Sequence, residues 1–228
     1  TPPRLDSSAA SDVYKRQMLG GRYADEKIKK RYAEWPLFYP LLMVSYGVAQ
    51  EFPDEAPFAS IALEPPLSVG RKEVDGIFVR LFNYSPRFAP PGKTVVQVEF
   101  GTGWDYWNDL QREDRAGYDA EKERVAAQVL ERLEAHYPGI SSQVEVTDVA
   151  TPYTFWRYTL NHKGAWEGWL MTPEAIRTMI ERTLPGLGNF YLAGQWVMPG
   201  GGVSPVLYSG RHAVQLLCHQ DGRPFVTE

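Results

Sequence analysis

The stretch NFYLAGQWVMPGGGVSPVLYSGRHAV, Asn189 to Val214, limits the folds open to this chain more than any other. A short apolar run leads directly into a loop with three consecutive glycines. A segment follows in which Val206, Leu207, Gly210, Ala213, Val214 and Leu217 recur at helical spacing. Ser204 and Pro205 suit the cap and first position of that helix. Strand, glycine loop and helix in this order leave backbone N–H groups free and turn a positive helix end toward the loop, which suits an electron-rich partner. Gly210 within the stripe costs about 1 kcal/mol relative to alanine, so a close approach to another backbone is predicted there.

Two common phosphate loops do not fit. Gly200-Gly201-Gly202-Val203-Ser204-Pro205 lacks the last glycine of the dinucleotide fingerprint, and too few residues follow for a second strand with a ribose-binding acid. No Lys-Ser or Lys-Thr pair closes the glycines as a P-loop would require. A turn that merely connects strand to helix is the structural alternative for this loop.

Upstream, LLMVSYGV (Leu41 to Val48), GIFVRLFNY (Gly76 to Tyr84), KTVVQVEF (Lys93 to Phe100) and QVEVTDVA (Gln143 to Ala150) read as strands. In the third, Val96, Val98 and Phe100 alternate with Gln97 and Glu99. Prolines 53, 57, 65 and 66 make Glu51 to Arg71 read as irregular or edge structure. Pro and Gly in SPRFAPPG suit a loop joining adjacent antiparallel strands. YDAEKERVAAQVLERLEAHYPG predicts a helix capped by Asp119, with a stripe of Val125, Ala126, Val129, Leu130 and Leu133, ended by Pro138 and Gly139. Lys27 to Tyr32 reads as a short helix, and Thr172 with Pro173 opens another that is predicted to run to about Leu184. NFYLAG reads as a short strand of the fully buried kind. The fold class is therefore α+β, with an antiparallel or mixed sheet and helices.

Composition narrows the function classes. A net charge of −4 gives no basic footprint, which argues against nucleic acid. The single cysteine, Cys218, rules out an internal disulfide and points to cytoplasmic chemistry. The four histidines never take a ligand spacing, so no metal is expected. The most apolar stretch, Pro36 to Ala49, is too short for a membrane span, leaving a soluble protein or one in peripheral contact with a membrane. Residues 1–17 have no apolar signal core and resemble a translated cloning scar.

The segment LAGQWVMPGGGVSPVLYSGRHA resembles the C-terminal flavin-binding motif of the phytoene desaturase and retinol saturase group of FAD-dependent oxidoreductases, relatives of the amine oxidases. FAPPGKTVVQV (Phe88 to Val98) and TPYTFWRYTLNHKGAWEGW (Thr151 to Trp169) are similar to that group too, so the likeness covers residues 18–228. It implies an FAD enzyme that desaturates or saturates C–C bonds of an apolar, isoprenoid-like substrate. Gly194 and Gln195 then match the Gly-acid pair that contacts the ribityl and phosphate region, with an amide here in place of the acid. Pro199, Gly200, Gly201, Gly202 and Val203 would pass the pyrimidine side of the flavin, and the Val203 and Ser204 amides would face N1 and the C2 carbonyl. Trp156, Tyr158, Trp166 and Trp169 would wall an apolar pocket, and Arg157 and Asn161 would orient a polar end of the substrate. No motif names a catalytic residue.

The group's N-terminal Rossmann unit has no counterpart in this sequence. The resemblance implies that residues 18–185 are a substrate-domain portion and 186–228 the closing segment of an incomplete, Rossmann-like FAD domain. The chain is then a fragment whose partner is the missing N-terminal half. A non-enzymatic module for an apolar ligand and an amine oxidase relative stay open as alternatives.

Overall fold

The computed structural model describes residues 19–20 and 22–227, so the expected scar at residues 1–17 lies outside the described residues. The chain divides into two compact units, one drawn from Thr1–Tyr39 and Phe155–Glu228, the other Pro40–Thr154.

The second unit is built on a five-stranded sheet of β1 (Leu41–Val48), β2 (Phe58–Val69), β3 (Lys72–Leu81), β4 (Thr94–Gly101) and β5 (Val144–Ala150), in the order β2-β3-β4-β1-β5. Its pairings are all antiparallel. The period-2 patterns explain why the sheet is one-sided. Val79, Val98, Val44 and Val149 lie opposite one another across four strands and are all buried. Met43, Ser45, Gln97 and Glu99 alternate onto the other, partly exposed face.

Helix α1 (Glu26–Glu34) precedes β1 and belongs to the first unit, while α2 (Trp104–Glu113) and α3 (Arg115–His136) lie between β4 and β5. Val125, Ala126, Val129 and Leu133 of α3 and Trp107 of α2 pack with the inward strand residues in one core. Tyr46 donates a 2.6 Å hydrogen bond from its hydroxyl to the Ala126 carbonyl, fixing strand to helix inside that core.

Three expectations change here. β2 is a regular 12-residue strand, not an irregular connection, but it is an edge strand. Its register against β3 shifts between Ala62 and Leu67, around Pro65 and Pro66. Both prolines fall in this irregular stretch, where no pairing with β3 calls for their missing N–H. Helix α3 begins at Arg115, one turn early, and its cap is Asp114, which accepts from the Gly117 N–H at 2.9 Å. Asp119 lies inside the helix and pairs with Arg115 at 2.9 Å. Helix α2 went unforeseen because only Gly103, without a side-chain cap, precedes it.

In the first unit, Asp25 caps α1 through the Ile28 N–H at 2.8 Å. Helix α4 (Pro152–Thr159) starts in the second unit and ends in the first. Helix α5 (Pro173–Arg177) is capped by Thr172 as expected, yet stops far short of Leu184. Strands β6 (Thr183–Leu184) and β7 (Leu187–Tyr191) form a small hairpin, and α6 (Val203–Gln220) follows. β7 is half-exposed, not fully buried, because its only partner among the described residues is β6. Ile28, Trp169, Ile180, Leu192, Trp196 and Val197 belong to this unit's core.

Candidate functional site

The glycine loop leaves β7 through Leu192 and turns at Gly194, whose φ of 104° favours glycine. Val197 and Met198 N–H groups both donate to the Gly194 carbonyl, at 3.2 Å each, closing one turn. The Gly194 N–H is buried against the Ser209 hydroxyl oxygen at 2.7 Å, and that hydroxyl donates to the Val206 carbonyl at 2.6 Å. The start of the loop is thereby fixed to the inner face of α6.

Further along, Gly200, Gly201 and Gly202 all have positive φ, at 134°, 62° and 83°. A β-carbon on Gly201 would overlap the Glu167 carboxylate. That carboxylate accepts from the Gly202 N–H at 2.7 Å. Gly202, not Ser204, stands at the N-cap of α6, and no side chain of the cap residue closes the helix. Ser204 lies one residue inside the helix. The Glu167 carboxylate on the Gly202 N–H agrees with the positive helix end, which suits an electron-rich group such as the pyrimidine edge of a flavin.

The segment from Leu160 to Trp169 backs the loop. Asn161 is 3% exposed. Its Oδ1 accepts from Gln195 Nε2 at 3.2 Å and from Trp196 Nε1 at 3.1 Å, and its Nδ2 donates to the Ala165 carbonyl at 3.1 Å. Trp169 Nε1 donates to the Trp196 carbonyl at 3.2 Å, and the two indoles meet edge to face at 4.9 Å. Tyr32 stacks on Trp196 at 5.7 Å. A β-carbon at Gly168 would run into the Gln195 backbone carbonyl.

The expected site residues therefore fall into two sets. Gly194, Gln195, Pro199, Gly200, Gly201, Gly202, Val203 and Ser204 form one continuous loop and helix start. Of the expected pocket residues, Asn161 and Trp169 are brought against that loop by hydrogen bonds, to Gln195 and Trp196. Trp156, Arg157 and Tyr158 lie on α4, where Arg157 sits over the Tyr158 ring at 5.6 Å and Tyr158 is 74% exposed. Trp166 is exposed and meets Phe38 edge to face at 6.1 Å. Trp169, expected in the pocket wall, is core. A depression of about 340 Å³ in the second unit, lined by Phe52, Phe82, Pro86, Pro90 and Lys93 among others, involves none of these residues.

Glu167, Ser209 and Gly168 escaped the sequence reading. Glu167 carried one faint signal, as the sole acid within the aromatic run GAWEGW. Gly210 has no atom within 4 Å of a built β-carbon, so the expected close backbone approach is absent among the described residues. In the stripe it belongs to, Leu207 is 68% exposed and Val214 and Leu217 are exposed beyond it, while Val206 and Ala213 are half-buried. Among the described residues no helix is long and apolar enough to cross a membrane, and no acid, histidine or cysteine cluster could hold a metal.

The chain is similar over 190 residues to a chloroplastic prolycopene isomerase of Arabidopsis thaliana, at 28% identity, covering 82% of this chain and 31% of the relative. It is similar over 193 residues to that of Daucus carota, at 26% identity, covering 82% of this chain and 30% of the relative. The shorter match to prolycopene isomerase 2 of an Oncidium hybrid cultivar is 28% identical over 127 residues, 55% of this chain and 21% of the relative. The chain thus spans about a third of the length of the first two relatives. Residues 38–218, which include the glycine loop and most of α6, match the profile of the flavin containing amine oxidoreductases. FAD is accordingly the expected cofactor, and the chain belongs to the flavin containing amine oxidoreductase family.

Proposed function

We propose that this chain is part of an FAD-dependent oxidoreductase that desaturates or saturates C–C bonds of a long apolar, isoprenoid-like substrate. Residues 18–185 then supply a substrate-domain portion and 186–228 the closing segment of a Rossmann-like FAD domain. The observation that carries the reading is the loop of three positive-φ glycines running into a helix start without a side-chain cap, inside the stretch that matches a flavin family.

In this reading Pro199 to Gly202 would pass the pyrimidine side of the ring, and the Val203 and Ser204 amides would face its N1 and C2 carbonyl. Bound flavin supplies the acceptance or donation of two electrons. Trp156, Tyr158 and Trp166 would exclude water from an apolar substrate, and Arg157 would hold a polar end. The AMP half of FAD has its site in protein outside this chain. The short coverage of the relatives supports that, as does the open apolar stripe of α6, which suits packing against a further sheet.

The relatives' names favour one more specific reading, in which the substrate is of the prolycopene kind and the reaction is isomerisation. Those names also carry the word chloroplastic, which gives no support to a cytoplasmic address.

The test joins this chain to the N-terminal part of the Arabidopsis relative and supplies prolycopene. A yellow protein with stoichiometric FAD is expected, and the product mass reads the reaction: loss of two hydrogens, gain of two, or no change for an isomer. A joined protein that binds the substrate but never holds flavin would make this a ligand-binding module, and turnover of amines alone would make it an amine oxidase. This chain purifying by itself with stoichiometric flavin would overturn the fragment reading.

A further inference from the structure

The position where the resemblance expects an acid holds Gln195, and its side chain is engaged inside the protein. Asn161 Oδ1 has two lone pairs, and both are used, by Trp196 Nε1 and Gln195 Nε2. An indole nitrogen can only donate, so Trp196 fixes which end of the Asn161 amide faces the loop. The Nδ2 bond to the Ala165 carbonyl agrees with that orientation. Residue 195 must therefore offer a donor. A carboxylate there would set oxygen against oxygen in a site where Asn161 is nearly free of water.

The geometry around Asn161 is held from several sides. Leu160 and Lys163 flank it with φ of 57° and 51°, conformations that persist in non-glycine residues only where the surroundings impose them. The Asn161 N–H donates to the Thr159 hydroxyl at 3.2 Å and its carbonyl accepts from the Gly164 N–H at 3.0 Å. Gly168 lies flat against the Gln195 carbonyl, so the two segments touch backbone to backbone beside the Asn161 bonds.

We propose that Asn161 is a positioning residue: by accepting from Gln195 and Trp196 it sets the conformation of the Gly194–Gly202 loop. Gln195 serves that tie and does not reach a cofactor hydroxyl. What the loop faces rests on the flavin reading given above; the tie itself does not.

Two variants test it in this chain. Gln195→Glu removes the donor and adds a charge, and Gln195→Met removes the donor with little change of bulk. Amide hydrogen exchange is read at Gly194, Val197, Met198 and Gly202, with the amides of Arg115–His136 as the internal control. Exchange about tenfold faster at the loop in both variants is expected, the factor that about 1.4 kcal/mol of local stability gives, with the control unchanged. Loop exchange equal to the parent's overturns the proposal, and so does equal acceleration at the control helix, which would be a general loss of stability.

The second readout is the visible flavin band in the joined protein. Each variant should shift it relative to the parent. Faster loop exchange with an unshifted band would reduce Asn161 to a structural residue and overturn its positioning role. A joined parent protein without flavin would defeat the flavin reading, while the exchange result would still decide whether Asn161 sets the loop.

Discussion

Gly168→Ala adds one methyl group directly against backbone. The new carbon would overlap the Gln195 carbonyl oxygen and lie 2.9 Å from its carbon, and both belong to backbone, so no side-chain rotation relieves the contact. Overpacking of this kind costs about 1–3 kcal/mol. Alanine also narrows the unfolded ensemble, which returns about 0.4–1 kcal/mol. The expected net loss is about 1–2 kcal/mol, or about 2–4 °C in melting temperature per kcal/mol for a chain of this length. Gly210→Ala is the matched control, since it meets nothing within 4 Å in mid-helix and should gain about 1 kcal/mol. Differential scanning calorimetry of both variants decides. Gly168→Ala melting at or above the parent, with Gly210→Ala stabilised, would refute the argument that the two segments are clamped backbone to backbone.

Other outcomes follow from single contacts. Ser209→Ala strands the buried Gly194 N–H and should cost about 1–3 kcal/mol, read as a lower urea midpoint at unchanged slope. Tyr46→Phe removes the hydroxyl bond to the Ala126 carbonyl, which keeps its helical partner, and should cost about 0.5–1.5 kcal/mol by the same measurement. Glu134 accepts from the Ser141 and Gly139 N–H groups, at 2.8 and 2.6 Å, and these bonds hold its carboxyl below the ordinary value of 4.5. A lowered folded value means stabilisation that is present above pH 4.5 and is lost as pH falls through the folded value. The melting difference between the parent and Glu134→Gln should therefore be present at neutral pH and disappear in acid; a pH-independent difference would refute it.

Where the chain repeats a local pattern, the sequence made the fold legible. The strand at Thr94–Gly101 and the stripe of the helix at Arg115–His136 follow from periods of 2 and 3.6 residues, because burial of one face dictates both. Caps were less legible. Asp114 and Asp119 are both acceptable caps by type, and the first wins because the helix can begin one turn sooner. The glycine loop was visible as a strand-to-helix turn, yet its supports were not. Asn161 and Gln195 lie 34 residues apart, and Glu167 reaches Gly202 across 35, so no local spacing announces either pair. Gly168 is glycine because of a carbonyl that only the folded chain brings near. The stripe of the last helix reads like core by its spacing, yet Leu207, Val214 and Leu217 are exposed among the described residues.

The register shift around Pro65 and Pro66 has a consequence beyond the strand itself. An unprotected outermost strand of this length offers a second chain a continuous row of hydrogen-bonding groups, the usual seed of sheet polymerisation. Neither Pro65 nor Pro66 carries an N–H to offer, and the bulge breaks the line of the row between Ala62 and Leu67. At the opposite edge, Glu145 and Asp148 put charge along the last strand. The sheet is thus guarded at both margins against growing by addition of its own copies.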